Sequence, residues 1–468
     1  MVTLTLIDQV LIVAYFAGVL LIGFLSTKRG ADATDFLLAG RSLTLPVFVM
    51  TLVSTWYGGI LGVGEFSYRY GISNWVIQGV PYYIFALIFA FLLAKRIRAS
   101  NLLTIPDKLH HAYDLNTAVL GSFLTFILMT PAPYILMLAL LLQLVTGWGL
   151  VACVLVGTVT TIAYLFFGGF RADVHTDVFE FLLMFIGFGV ILPFAWMKYG
   201  GLEFIQHNVP PLHLTWNGGN SMQFVLVWFF IALWTLVDPS FHQRCYAAKS
   251  GEVARKGILI SIIFWLMFDA MTATAGLYAR AALPALGQPI NAYPLLAEVV
   301  LPPVAKGLFY IGMLATIMST LNTLAFVSAT TIGRDIVWRI RGRQRDISDN
   351  RYTRWGLAAT AGLSIALALM IPSVIKLWYT IGSVIIPGLL IPLVTSYFDD
   401  WKAPARYAFA SMLLGWLTSL IWLMIGWTQQ IGADEFYPLG IEPMYPGLLV
   451  SAGIWGVGRW VHARKISP

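Results

Sequence analysis

Runs of about twenty apolar residues recur from one end of this chain to the other, and no other feature restricts its fold as strongly. A hydrocarbon layer about 30 Å thick is crossed by a helix of about 20 residues. Inside that layer every backbone polar group has to be satisfied within the segment, which selects helices. About thirteen spans are expected on this length criterion. They run from about Leu6 to Leu25, Leu43 to Ser67, Ile72 to Ala94, Thr117 to Thr146, Trp148 to Phe167 and Thr176 to Met197. Then follow Ser221 to Arg244, Lys256 to Ala279, Val304 to Gly333, Trp355 to Ile371, Ser373 to Tyr397, Tyr407 to Trp427 and Tyr445 to Val461. Composition agrees, with 59% hydrophobic and 11% charged residues and a mean hydropathy of +0.78, where soluble domains carry about a quarter charged. The expected fold class is an all-α polytopic membrane protein.

The net charge of +7 does not point to nucleic acid, because the basic residues are spread over loops between apolar runs rather than gathered on one face. Their distribution instead predicts orientation. With the N-terminus outside, all of the 29 Lys and Arg residues except Arg69, Lys198, Arg280, Lys306 and Lys376 fall on the cytoplasmic side, together with the C-terminus. One missed or extra helix would swap the sides of everything after it, so the asymmetry also supports the helix count. The first run has no Lys or Arg before it and reads as a retained span rather than a cleaved leader. The longest polar stretch, Arg334 to Arg354, reads as a basic loop touching lipid headgroups. Cys153 and Cys245 lie in or beside apolar runs, so neither a disulfide nor a metal site is expected. Neither a soluble domain nor an obligate protein partner is evident.

Two helices carry interruptions that an anchor would not need. The second holds Ser54-Thr55-Trp56-Tyr57-Gly58-Gly59 near its centre, and the seventh holds Asp238-Pro239 in its second half. Proline removes a donor and glycine weakens a helix, so backbone groups are freed there for an ion or substrate. The breaks lie five helices apart, in the second and the seventh, as an inverted repeat of helices 2 to 6 and 7 to 11 requires, although packing kinks would leave the same pattern. Asp177, Asp238 and Asp269 are intramembrane acids and therefore functional candidates. Asp177 has no basic residue three or four positions away, while Glu65, Arg69 and Glu180 lie close enough to helix ends to be solvated. His242, one turn beyond Asp238, reads as a packed side chain. Thr316 and Thr320 share a face of the ninth helix with Ser319 beside them. Their oxygens suit a hard monovalent cation, or simply hydrogen-bond their own helix.

Certain short segments resemble the sodium:solute symporter family. They are Phe36-Leu37-Leu38-Ala39-Gly40-Arg41, Gly168-Gly169 followed by Thr176-Asp177, Asp238-Pro239, Gln243-Arg244, Ala247-Ala248-Lys249 and Met318-Ser319-Thr320-Leu321-Asn322. The resemblance implies a five-plus-five inverted repeat like that of the bacterial leucine transporter, in residues 43–397. Residues 1–42 would be an extra helix with its loop, and 398–468 two further helices. It also implies a sodium site where the broken second helix meets the ninth, formed by the carbonyls of Leu52, Thr55 and Thr316 and the hydroxyls of Ser319 and Thr320. A register shift of one would substitute Val53 and Trp56 in the second helix. Asp177 would lie on the sodium path or hold a further ion. Trp56, Gln78, Asp238 and Trp265 would line the central cavity, with Asp269 one turn from Trp265. Some sugar-binding members carry a lysine where this chain has Trp265, which disfavours a sugar.

The function expected is sodium-coupled symport of a small organic solute across the bacterial inner membrane by alternating access. Asp238 and Asp269 have no Lys or Arg placed beside them in the membrane, so the substrate could supply the missing positive charge. That favours a zwitterion such as an amino acid, proline included. Protonated acids binding a sugar or polyol are the rival. Proton coupling through Asp177 or Asp238, a carboxylate substrate and a transporter-like sensor are also compatible with the sequence. No metal-ligand cluster or nucleophile with its base suggests an enzyme.

Overall fold

The computed structural model describes residues 2–26, 33–340, 351–429 and 437–466. Helices stand at all thirteen expected positions. They are α1 (Leu6–Leu25), α2 in two arms, α2a (Leu45–Trp56) and α2b (Ile60–Tyr70), α3 (Trp75–Ala99) and α4 (Leu115–Thr146). A continuous run, Leu150–Tyr199, holds α5 and, from Gly169, α6 (Gly169–Tyr199). The others are α7 (Met222–Ala247), α8 (Gly251–Ala282), α9 (Ala305–Val337), α10 (Arg351–Met370), α11 (Val374–Thr395), α12 (Ala405–Thr428) and α13 (Met444–Ile466). Much of the Arg334 to Arg354 stretch lies outside the described residues, as do Lys28 and Arg29.

Several ends are set by local sequence. Asp114, Ser221, Ser250 and Ser373 accept from the backbone amides of Thr117, Phe224, Val253 and Lys376, which satisfies donors that a membrane would leave unmet. Asp8 ties two helices together: one oxygen accepts from Thr5 and the other from the amides of Val304 and Gly307 at the start of α9. Outward-facing Leu6, Val13, Phe24, Ile263, Met267 and Ile421 are each about half exposed or more, as lipid contact demands.

Helix α9 runs through the centre, with its apolar window wholly buried. It crosses α6 at Gly187 and Gly312, where a Cβ on Gly187 would stand 2.7 Å from the Gly312 Cα. Small residues let helix backbones approach this closely in a membrane. Gly312→Ala should therefore lower stability by about 1–3 kcal/mol, seen as a drop in the thermal unfolding midpoint. Gly453→Ala, where an added Cβ meets nothing within 4 Å, is the control expected to leave the midpoint unchanged.

Two boundaries differ from expectation in ways that matter. Helix α6 begins at Gly169, whose φ of +61° makes the turn from α5, rather than near Thr176, and so takes Asp173 into the bundle. Helix α7 continues past Arg244 to Ala247, which draws that arginine inside.

Candidate functional site

Both sequence interruptions are real breaks. Arms α2a and α2b meet at 59° across Tyr57, Gly58 and Gly59. In α7 the backbone at Asp238 is extended (φ −66°, ψ 114°) before the helix restarts at Pro239. The last four carbonyls of a helix lack an internal partner and carry the negative end of its dipole. For α2a these belong to Val53, Ser54, Thr55 and Trp56, so the Thr55 carbonyl is free in this sense and that of Leu52 lies one residue short.

The candidate cation ligands come together at this end. The Thr320 hydroxyl donates to the Thr55 carbonyl at 2.5 Å, and the Ser319 hydroxyl donates to Asp177 Oδ1 at 2.6 Å. Thr316 turns its hydroxyl to Gly312 O on its own helix, leaving only its carbonyl as a candidate. Gly58 makes the approach possible. A Cβ there would overlap the Thr320 side chain and come within 2.9 Å of the Tyr134 ring. Gly58→Ala should separate α2 from α9 and lower stability by about 1–3 kcal/mol of overpacking, read as a drop in the thermal unfolding midpoint.

A cavity of about 130 Å³ opens beside the breaks. All five residues expected to line it do so: Trp56, Gln78, Asp238, Trp265 and Asp269. Thr55 and Thr320 border it too, so it adjoins the cation ligands. The remaining wall is largely aromatic, including Tyr57, Tyr82, Tyr83, Tyr134, Trp234 and Trp378. A second cavity, of about 30 Å³, touches α9 one to two turns further on, at Val327, Thr330 and Thr331, and is bounded by Thr104, Gln243 and Tyr246. Near it Asp107 pairs with Arg334 (2.9 Å) and Arg339 (2.7 Å), and Thr104 donates to Asp335. Burial alone would raise the Asp107 carboxyl, but the two guanidinium groups hold it below its ordinary value.

The intramembrane charges are arranged differently from the expectation in three respects. First, a cation does stand at this depth. Arg244 is completely buried, with its guanidinium 2.9 Å from Asp177 and 3.9 Å from Asp173. It also donates to Thr51 Oγ1 (2.6 Å), Thr55 Oγ1 and Thr323 Oγ1 (3.2 Å). Asp177 thus has no basic residue three or four positions away on its own helix but receives one from α7. Second, Asp238 already has partners on one oxygen. Its Oδ1 caps the second arm of α7, accepting from the amides of Ser240 (2.7 Å) and Phe241 (3.2 Å) and from the Ser240 hydroxyl. Asp269 likewise accepts from the Tyr57 hydroxyl on one oxygen and the Tyr83 hydroxyl on the other. Third, Glu180 is buried rather than solvated and accepts from Tyr15 at 2.8 Å. His242 is packed and satisfied between Tyr397 and the Leu236 carbonyl. Asp-Pro-Ser is an N-cap signature, so the sequence does contain a signal for the Asp238 cap.

Known proteins resemble this chain along nearly its whole length. The family model described as the sodium:solute symporter family matches residues 36–415. The chain is 27% identical to a sodium/pantothenate symporter of Escherichia coli, over 96% of this chain and 95% of that protein. It is 25% identical to an osmoregulated proline transporter of Bacillus subtilis, covering 93% of each. A solved structure of a sodium-coupled sialic acid symporter superposes with a TM-score of 0.77 at 16% identity, covering 99% of this chain and 98% of the other. The transporter Mhp1, of the nucleobase-cation-symport-1 family, follows at 0.61 and 12% identity, covering 93% of this chain and 96% of the other.

Proposed function

The chain belongs to the sodium:solute symporter family, with sodium as its coupling ion, and from that premise we propose that it imports a small zwitterion, an amino acid or imino acid such as proline. It is an integral membrane transporter of the inverted-repeat fold. We assign transport to residues 43–397, with the N-terminus outside and the C-terminus in the cytoplasm of a bacterial cell. In this reading sodium is held by the carbonyls of Thr55 and Thr316, a neighbouring α2a carbonyl from Leu52 or Val53, and the hydroxyls of Ser319 and Thr320. Asp177 serves ion release, and Trp56, Gln78, Asp238, Trp265 and Asp269 face the substrate.

The observation that supports a zwitterion most is the cavity wall: two carboxylates and, among the described residues, no Lys, Arg or His. A carboxylate on the substrate has α2b available, whose N-terminus carries no side-chain cap among the described residues. Sodium and substrate need only favour the same outward-open conformation for their binding to be mutually reinforcing. Uptake into vesicles should track the imposed sodium gradient. Amino acids should compete for it better than matched monocarboxylates or sugars. Asp238→Asn keeps a good N-cap while removing the charge, and should weaken amino-acid competition selectively. Competition by monocarboxylates alone, unaffected by this substitution, would overturn the zwitterion reading while leaving sodium symport intact.

A further inference from the structure

The central cavity and the smaller one lie in line along two helices. The first reaches Asp238 of α7 and Leu324 of α9, and the second continues along each, at Pro239, Gln243 and Tyr246 and at Val327, Thr330 and Thr331. Its opposite wall is Thr104, Ile105 and Pro106, where the short helix Ile105–Ala112 begins between α3 and α4. A void of about 30 Å³ holds a few waters at most, so no solute passes unless these walls part. Tyr397, just past the end of α11, ties the two walls together. Its hydroxyl stands 2.8 Å from that of Tyr246 and 3.2 Å from His242 Nδ1, both on α7. The Lys108 ammonium of the short helix lies 4.6 Å from the centre of its ring. All four side chains belong to residues more than nine-tenths buried.

The direction of each hydrogen bond follows from its chemistry. The other ring nitrogen of His242 lies 3.1 Å from the carbonyl of Leu236, one of those freed where α7 breaks. A carbonyl only accepts, so Nε2 carries a proton, and with no carboxylate among its partners the buried ring holds just that one. Nδ1 therefore accepts from Tyr397, whose single proton is then spent, and Tyr246 donates to Tyr397. Three successive bonds thus run from the break beside the central cavity to the wall of the smaller one. We propose that Tyr397 is the centre of a cytoplasmic gate: the chain Tyr246, Tyr397, His242 holds the second arm of α7 shut against the short helix, and solute is released inward when these bonds break. This rests on reading the central cavity as the transport site and the end of α9 as cytoplasmic.

The test is side-specific labelling of Val327→Cys, at the wall of the smaller cavity, in the full-length chain with Cys153 and Cys245 replaced by alanine. A membrane-impermeant maleimide is applied to inside-out vesicles with and without sodium. In this parent the labelling should be slow. Tyr246→Phe, which removes one bond and keeps the ring, should speed it about five-fold, and Tyr397→Phe, which removes two, about ten-fold or more. Both substitutions break the same chain, so the double variant should label no faster than Tyr397→Phe alone. Saturating sodium should slow all three again by favouring the state closed to the cytoplasm. Unchanged labelling in both Phe variants, or a rise that sodium does not reverse, would overturn the proposal. Labelling only from right-side-out vesicles would overturn it together with the assigned orientation. The zwitterion reading fails separately, by uptake, since no solute enters this readout.

Discussion

Replacing Arg244 with leucine is expected to destabilise the protein by about 3–5 kcal/mol, the cost of removing one partner from a buried ion pair. The guanidinium is fully buried and is the cation shared by Asp177 and Asp173. It also donates to Thr51, Thr55 and Thr323, so its loss leaves two carboxylates facing one another with only hydroxyl donors around them. Asp173 has little else to rely on: Thr323 donates to its Oδ2 at 2.7 Å, and Oδ1 has no partner among the described residues. The measurement is thermal unfolding in detergent, made as a double-mutant cycle. Arg244→Leu combined with Asp177→Asn should recover part of the loss, because it removes a charge along with its partner. A further signature separates electrostatics from packing. With a fixed positive charge gone from beside Thr55 and Ser319, added sodium should stabilise the single variant more than the wild type. A variant as stable as wild type, or a double variant worse than the single, would refute this account of Arg244.

The parts legible in the sequence are those whose physics is local. Span positions follow from apolar length, and the breaks follow from Gly58-Gly59 and Asp238-Pro239, whose backbone chemistry interrupts a helix whatever surrounds it. Trp56, Gln78 and Trp265 are placed in the cavity by family resemblance; nothing in their own spacing indicates it. What stays hidden depends on partners distant in sequence. Arg244 and Asp177 are 67 residues apart and meet where α7 continues beyond its expected end, while the early start of α6 adds Asp173 to the pair. An arginine at the end of an apolar run reads as a loop residue until the helix is seen to continue. Tyr57 and Tyr83 reach Asp269 from two other helices, a pairing that helical periodicity does not reveal. The consequence for function is specific. Asp269 receives a tyrosine hydroxyl on each oxygen and Asp238 commits Oδ1 to its helix cap, so in the proposed substrate site the freer carboxylate oxygen is Asp238 Oδ2.

Replacing Ser319 and Thr320 together with alanine should weaken apparent sodium affinity by tens-fold or more, at about 1–3 kcal/mol per lost oxygen ligand. Both hydroxyls converge on the α2a end, Thr320 on the Thr55 carbonyl and Ser319 on Asp177, where a helix C-terminus and a carboxylate already favour a cation. Removing them also breaks two hydrogen bonds present without the ion. Stability in sodium-free buffer should therefore fall as well, by about 1 kcal/mol for each. The two effects are separable, because the second is independent of sodium and the first is the shift in the sodium concentration giving half-maximal uptake. Thr316→Ala is the internal control. Its hydroxyl bonds Gly312 O, and only its carbonyl is a proposed ligand, which alanine retains. Sodium dependence should survive that change and fail in the double variant. If the double variant keeps wild-type sodium dependence, the cation is held elsewhere, and the meeting of α2a with α9 is a packing contact rather than an ion site.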